Sequence, residues 1–143
     1  MDLNNSDQVV FWAGLCCSGI GNGWFLGSAP TNLAPRLLPN QPLPGGGRAG
    51  DLSSGSRFAA LADSGEMAIY VAEVRDGVQP RIVIAGADGT LRKFAKSGDN
   101  AEGTGSEFGK LYTPLVATPS GRFLFGAMLV HGPAKAGVFM DKP

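Results

Sequence analysis

A spacing of about 57 residues organises this chain, the length of one supersecondary unit in a repeat protein. Ser6-Asp7-Gln8-Val9-Val10-Phe11-Trp12-Ala13 returns one unit later as Ser64-Gly65-Glu66-Met67-Ala68-Ile69-Tyr70-Val71. It returns once more as Ser120-Gly121-Arg122-Phe123-Leu124-Phe125-Gly126-Ala127. Each copy reads serine, a turn residue, a polar residue, then an apolar run holding aromatics. Asn32-Leu33 aligns with Thr90-Leu91, Asn40-Gln41 with Gly98-Asp99, and Gly45-Gly46-Gly47 with Gly103-Thr104-Gly105. Gly23-Trp24-Phe25-Leu26, Arg81-Ile82-Val83-Ile84 and Gly137-Val138-Phe139-Met140 form a further matched set. Units that recur in this way bury their apolar faces on one another.

Inside each unit the punctuation is that of β-structure. The chain has 22 Gly and 10 Pro, yet 43% of its residues are hydrophobic, enough to bury a core. Long apolar strands are expected near 8–15, 66–74 and 122–130, each followed by a second near 23–27, 81–85 and 137–141. Third strands are expected near 33–38 and 90–95, and leading strands near 56–62 and 108–117. Asp88-Gly89 signals a tight hairpin between two of these strands. The long strands do not alternate cleanly, which predicts burial on both faces. The resulting fold class is all-β: antiparallel four-stranded units of about 57 residues, stacked like propeller blades in an incomplete ring. One domain spans 1–143, divided into a partial unit 1–40, a unit 41–98 and a partial unit 99–143. The first unit is expected to lack its leading strand and the third its last.

The string Gly45-Gly46-Gly47-Arg48-Ala49-Gly50 fits the dinucleotide pattern G-x-G-x-x-G. That pattern works only between a buried strand and a helix N-terminus. Pro42 and Pro44 precede it, and no helical period follows it. A turn-rich corner is expected instead, with glycines taking positive φ.

The repeat resembles a bacterial tandem-repeat family with an NxxGxxAF signature, found in proteins described as choice-of-anchor. Asn4-Asn5-Ser6-Asp7-Gln8-Val9-Val10-Phe11, the Gly98-Asp99 step, Pro44-Gly45-Gly46-Gly47, and Gly103-Thr104-Gly105 with Phe108 carry the likeness. Asp7 stands where the family has Gly, Ala62 and Thr118 where it has Asn, and Glu102 where it has Pro. The resemblance implies propeller-like repeats in secreted or surface-anchored proteins, with no catalytic site assigned.

Charge and chemistry narrow the function. Twelve Lys and Arg balance twelve Asp and Glu without a basic stripe, so nucleic-acid binding is not expected. No stretch is long and apolar enough to span a membrane, and the N-terminal residues do not read as a signal peptide. Adjacent Cys16 and Cys17 give neither disulfide framework nor metal spacing and read as small apolar fillers. His131 is the sole histidine and reads as a loop residue at a strand end. Asp99, Asn100, Glu102 and Glu107 could offer oxygen to calcium, but their counterpart at 41–50 carries no acid, so a solvated loop is expected. Trp12, Tyr70 and Phe125 are expected as matched core aromatics, and Trp24 as half exposed. Glu66 and Glu73 are too far apart for acid–base work. No catalytic, cofactor or metal residue is expected, and no cofactor. A non-catalytic scaffold, binding a protein or glycan and open to self-association at its ends, is the expected function. Part of a propeller-type hydrolase is the alternative.

Overall fold

The computed structural model describes residues 1–15, 21–29, 31–52, 58–72, 74–76 and 79–141. Cys16, Cys17 and Glu73 lie outside these residues. The described chain is all-β, with fifteen strands in antiparallel sheets.

The first sheet is a meander of β1 (Asp2–Leu3), β2 (Val9–Leu15), β3 (Gly21–Gly27) and β4 (Leu33–Leu37), in that spatial order. Its leading strand, β1, was not expected. Two residues are too short to show an alternation, and only their pairing with Val9 and Val10 reveals them. The chain then turns through β5 (Arg48–Ala49) into the second sheet: β6 (Ala59–Leu61), β7 (Met67–Val71), β9 (Arg81–Ala85) and β10 (Leu91–Lys96). A two-residue strand, β8 (Val74–Arg75), pairs with β5. The third sheet holds β11 (Asn100–Ala101), β12 (Ser106–Leu111), β13 (Val116–Ala117), β14 (Phe123–Val130) and β15 (Ala136–Met140). In it, β12 and β13 pair successive parts of β14.

Turn chemistry fixes these boundaries. The Asp88-Gly89 turn joins β9 to β10 as expected, closed by Gly86 N–H on Thr90 O, with Gly89 at φ 85°. Before each long strand, a backbone N–H bonds the carbonyl four residues ahead: Asn4 to Gln8, Ala62 to Glu66 and Thr118 to Arg122. In each of these turns the fourth residue takes positive φ: Asp7 at 54°, Gly65 at 82° and Gly121 at 79°. Asp is among the few side chains that tolerate this region, which explains how it stands at position 7 where the matching turns have Gly65 and Gly121. Asn40 and Gly98 also share positive φ, at 64° and 87°. A register shift falls opposite Trp24–Phe25 in the first sheet and opposite Ile82–Val83 in the second, where Arg36 and Phe94 are the extra residues.

The core forms two layers, one on each face of the middle sheet. Met67, Ile69, Val71, Val83 and Ala85 pack with Val10, Trp24, Leu26 and Leu37 of the first sheet. Ala68, Ile82 and Ile84 pack with Phe108, Phe123, Phe125 and Leu129 of the third. So β7 and β9 are covered on both faces, as their unbroken apolar runs predict. The expectation fails for β14. Phe123, Phe125, Ala127 and Leu129 are buried, but Leu124 is only half-buried and Met128 is exposed. An apolar run shows that two faces are greasy; it does not show that both are covered.

Register corrects a second expectation. Trp12 packs in the layer between the first and second sheets, and Tyr70 in the layer between the second and third. Each therefore faces the sheet that follows its own. Phe125 faces the sheet that precedes its own, because a shift of one residue along a strand reverses the face. Trp24 is fully buried rather than half exposed.

Candidate functional site

A cleft of about 600 Å³ lies between β10 of the middle sheet and the third sheet. Phe94, Phe108, Phe125 and Phe139 line it with Met140, and Arg92, Lys93, Asn100, Glu102 and Asp141 form its polar part. The rings interlock. Phe94 meets Phe125 edge-on at 4.9 Å, and Phe108 meets Phe139 edge-on at 4.7 Å, the favoured arrangement for aromatic quadrupoles. Phe94 reaches the cleft because it is the extra residue of the β10 irregularity.

One wall of the cleft ends in β15, whose outer edge has no strand partner among the described residues. Among the described residues β15 pairs only with β14. Asp141 N–H bonds Phe123 O and Leu129 N–H bonds Lys135 O. In an antiparallel ladder every second residue repeats that orientation, so Phe139 and Gly137 point their backbone groups at β14. Ala136, Val138 and Met140 then direct theirs to the free edge.

One charged lining residue, Asp141, is buried and fully engaged. Asp141 is 6% exposed. Its Oδ1 accepts the buried Phe123 N–H at 2.6 Å, and its Oδ2 accepts Arg92 at 3.1 Å. Its backbone carbonyl accepts Arg122. Arg92 also approaches Glu66 at 4.0 Å. The Arg92–Asp141 pair ties the middle sheet to the third. Sequence reasoning missed Asp141, since its partners lie 49 and 19 residues away and no spacing announces them.

A different lock joins the first and second sheets. Asn4 Oδ1 accepts the N–H groups of Ser6 and Gln8, while its Nδ2 donates to Gln8 Oε1 and Ala62 O. Asn5 donates its backbone and side-chain N–H groups to Asp63, at 2.9 Å each. The Asn5 backbone N–H holds the Asp63 carboxyl below its usual value, helped by the Asn5 amide. Asn serves at position 4 because it accepts and donates at once. Thr118 keeps the accepting half, taking the Arg122 N–H, and Ala62 keeps neither. The three corners meet at a second cavity of about 190 Å³, lined by Asn4, Asn5, Ala62, Asp63, Thr118 and Pro119 among others.

The remaining sequence candidates do not converge. Asp99 pairs with Lys93 at 2.9 Å, whereas Glu107 contacts His131 Nδ1 at 3.1 Å on an exposed edge. Among the described residues, no three His, Cys, Asp or Glu side chains gather as a metal group. Gly45, Gly46 and Gly47 take φ of 83°, 91° and 76° in a corner closed by Leu43 N–H on Gly47 O. Beneath it the buried Arg81 donates to Pro44 O at 2.7 Å. Burial lowers the Arg81 pKa, opposed by Asp99, and burial raises that of the Tyr70 phenol. No helix of the described residues is long and apolar enough to cross a membrane.

No family model, curated protein or solved structure matches this chain.

Proposed function

We propose that this chain is a non-catalytic scaffold that binds an extended protein segment, as a binding or adhesion module of a bacterial secreted or surface protein. Its three larger sheets are read as units of one tandem repeat, arranged like blades of an open propeller. The observation that carries this reading is the free edge of β15 beside the aromatic cleft. In the other two sheets the same edge is taken by β4 on β3 and by β10 on β9. An added strand would satisfy the outward groups of Ala136, Val138 and Met140 and set alternate side chains against the phenylalanines. The hydrolase alternative asks for an ionisable cluster open to substrate. The cluster that departs from the repeat spacing, at Asp141, engages its carboxylate with the Phe123 N–H and Arg92.

A synthetic peptide with the sequence of residues 90–97, the third strand of the middle sheet, tests the reading. Saturable amide shifts confined to β15 and the cleft rings are expected in an NMR titration. Absent or scattered shifts would remove the edge from consideration.

A further inference from the structure

We propose that copies of this chain stack head to tail, the outer face of the third sheet of one copy packing on the outer face of the first sheet of the next. This rests on the repeat reading but not on strand binding at β15.

Each end sheet carries an apolar outer face. On the third sheet, Val116, Leu124 and Met140 form one cross-strand row, with Gly126 and Val138 beside them. Val138 is 75% exposed, and Val116 and Met140 are exposed as well. On the first sheet, Leu3, Val9, Gly27 and Leu33 form one row, and Phe11, Phe25 and Pro35 the next. Leu3 is 65% and Leu33 55% exposed, and the Phe11 and Phe25 rings stack at 5.8 Å.

The repeat spacing says what covers such faces. Leu3, Val9, Phe11, Phe25 and Leu33 stand one repeat before Leu61, Met67, Ile69, Val83 and Leu91, at a constant offset. Those five residues pack in the layer between the first and second sheets. Val116, Leu124, Val138 and Met140 stand one repeat after Ala60, Ala68, Ile82 and Ile84, again at a constant offset. Those four are buried in the layer between the second and third sheets. The exposed face at each end is thus the counterpart of a face that the middle sheet buries. One is of the kind that receives a preceding sheet, and the other of the kind that receives a following one. The two are different surfaces, so each copy offers one of each and the contact is heterologous. A second copy supplies both surfaces in the required order.

Sedimentation velocity from micromolar to near-millimolar concentration tests this with the whole chain and two variants. The wild type is expected to grow beyond a dimer with concentration. Val138→Lys blocks the third-sheet face and Leu33→Lys the first-sheet face, at side chains already in solvent, and circular dichroism checks that both fold. Each variant alone is expected to be monomeric, and their equimolar mixture to form a heterodimer that grows no further. A monomeric wild type, a monomeric mixture, or self-association of either variant alone would overturn the proposal. Self-association of Leu33→Lys would point to two third-sheet faces meeting symmetrically. The peptide titration, run on the wild type and on Leu33→Lys, whose substitution lies on the first sheet, reads the β15 site separately.

Discussion

Replacing Asp141 separates the two jobs of its carboxylate. In Asp141→Ala the buried Phe123 N–H loses its acceptor, which costs about 1–3 kcal/mol as an unsatisfied buried donor. Arg92 is roughly half exposed and returns to water, so loss of that pair adds at most about 1 kcal/mol. The expected total is about 1–4 kcal/mol. Asp141→Asn keeps an oxygen for Phe123 and removes only the charge, so about 1 kcal/mol is expected. Arg92→Ala in both backgrounds completes a double-mutant cycle, whose coupling should stay below about 1 kcal/mol. Urea unfolding followed by Trp12 and Trp24 fluorescence provides the free energies. If Asn costs as much as Ala, the ion pair and not the backbone N–H dominates, and the reasoning fails.

Ile69→Ala, in the fully buried middle of β7, should cost about 2–5 kcal/mol in the same assay; a change under about half a kcal/mol would place that strand at the surface. Gly121→Ala meets no neighbouring atom but must hold φ near 79°, so a loss of about 1–2 kcal/mol isolates the backbone cost, and a neutral result would contradict the left-handed turn. The Asp63 carboxyl titrates below its ordinary 3.8, so its contribution is present above that value and is lost as pH falls through the lower folded value. The Asn5 amide resonances should move in that acid window, and Asp63→Asn should abolish the movement.

Much of the strand map was legible because turns and apolar runs are local. The second strand of the middle sheet, expected at 81–85, is Arg81–Ala85. Gly89 and Asn40 declared their turns through residue type alone. What was illegible depends on distance or on partners. The strands β5, β8 and β11 are two residues long and exist only through their pairing. Leu124 reads as core and is half-buried, because nothing in "RFLFGAMLV" says whether a neighbour covers its second face. The cleft was invisible for the same reason: it comes from Phe94, Phe108, Phe125 and Phe139 meeting across two sheets, beside a strand edge left unpaired.

The double coverage of the middle sheet has a consequence for how the chain opens. Most strand pairings here are between neighbours in sequence and form as local hairpins, but β7 and β9 have no solvent face of their own. Removing either flanking sheet strips a whole apolar face from them, so the central sheet cannot persist without its neighbours. Amide protons of Ala68–Val71 and Ile82–Ala85 therefore exchange with solvent through global unfolding, while those on the outward edge of β15 exchange from the native state. A lesion in the first sheet reaches the third through this shared centre, and the layers melt as one cooperative unit.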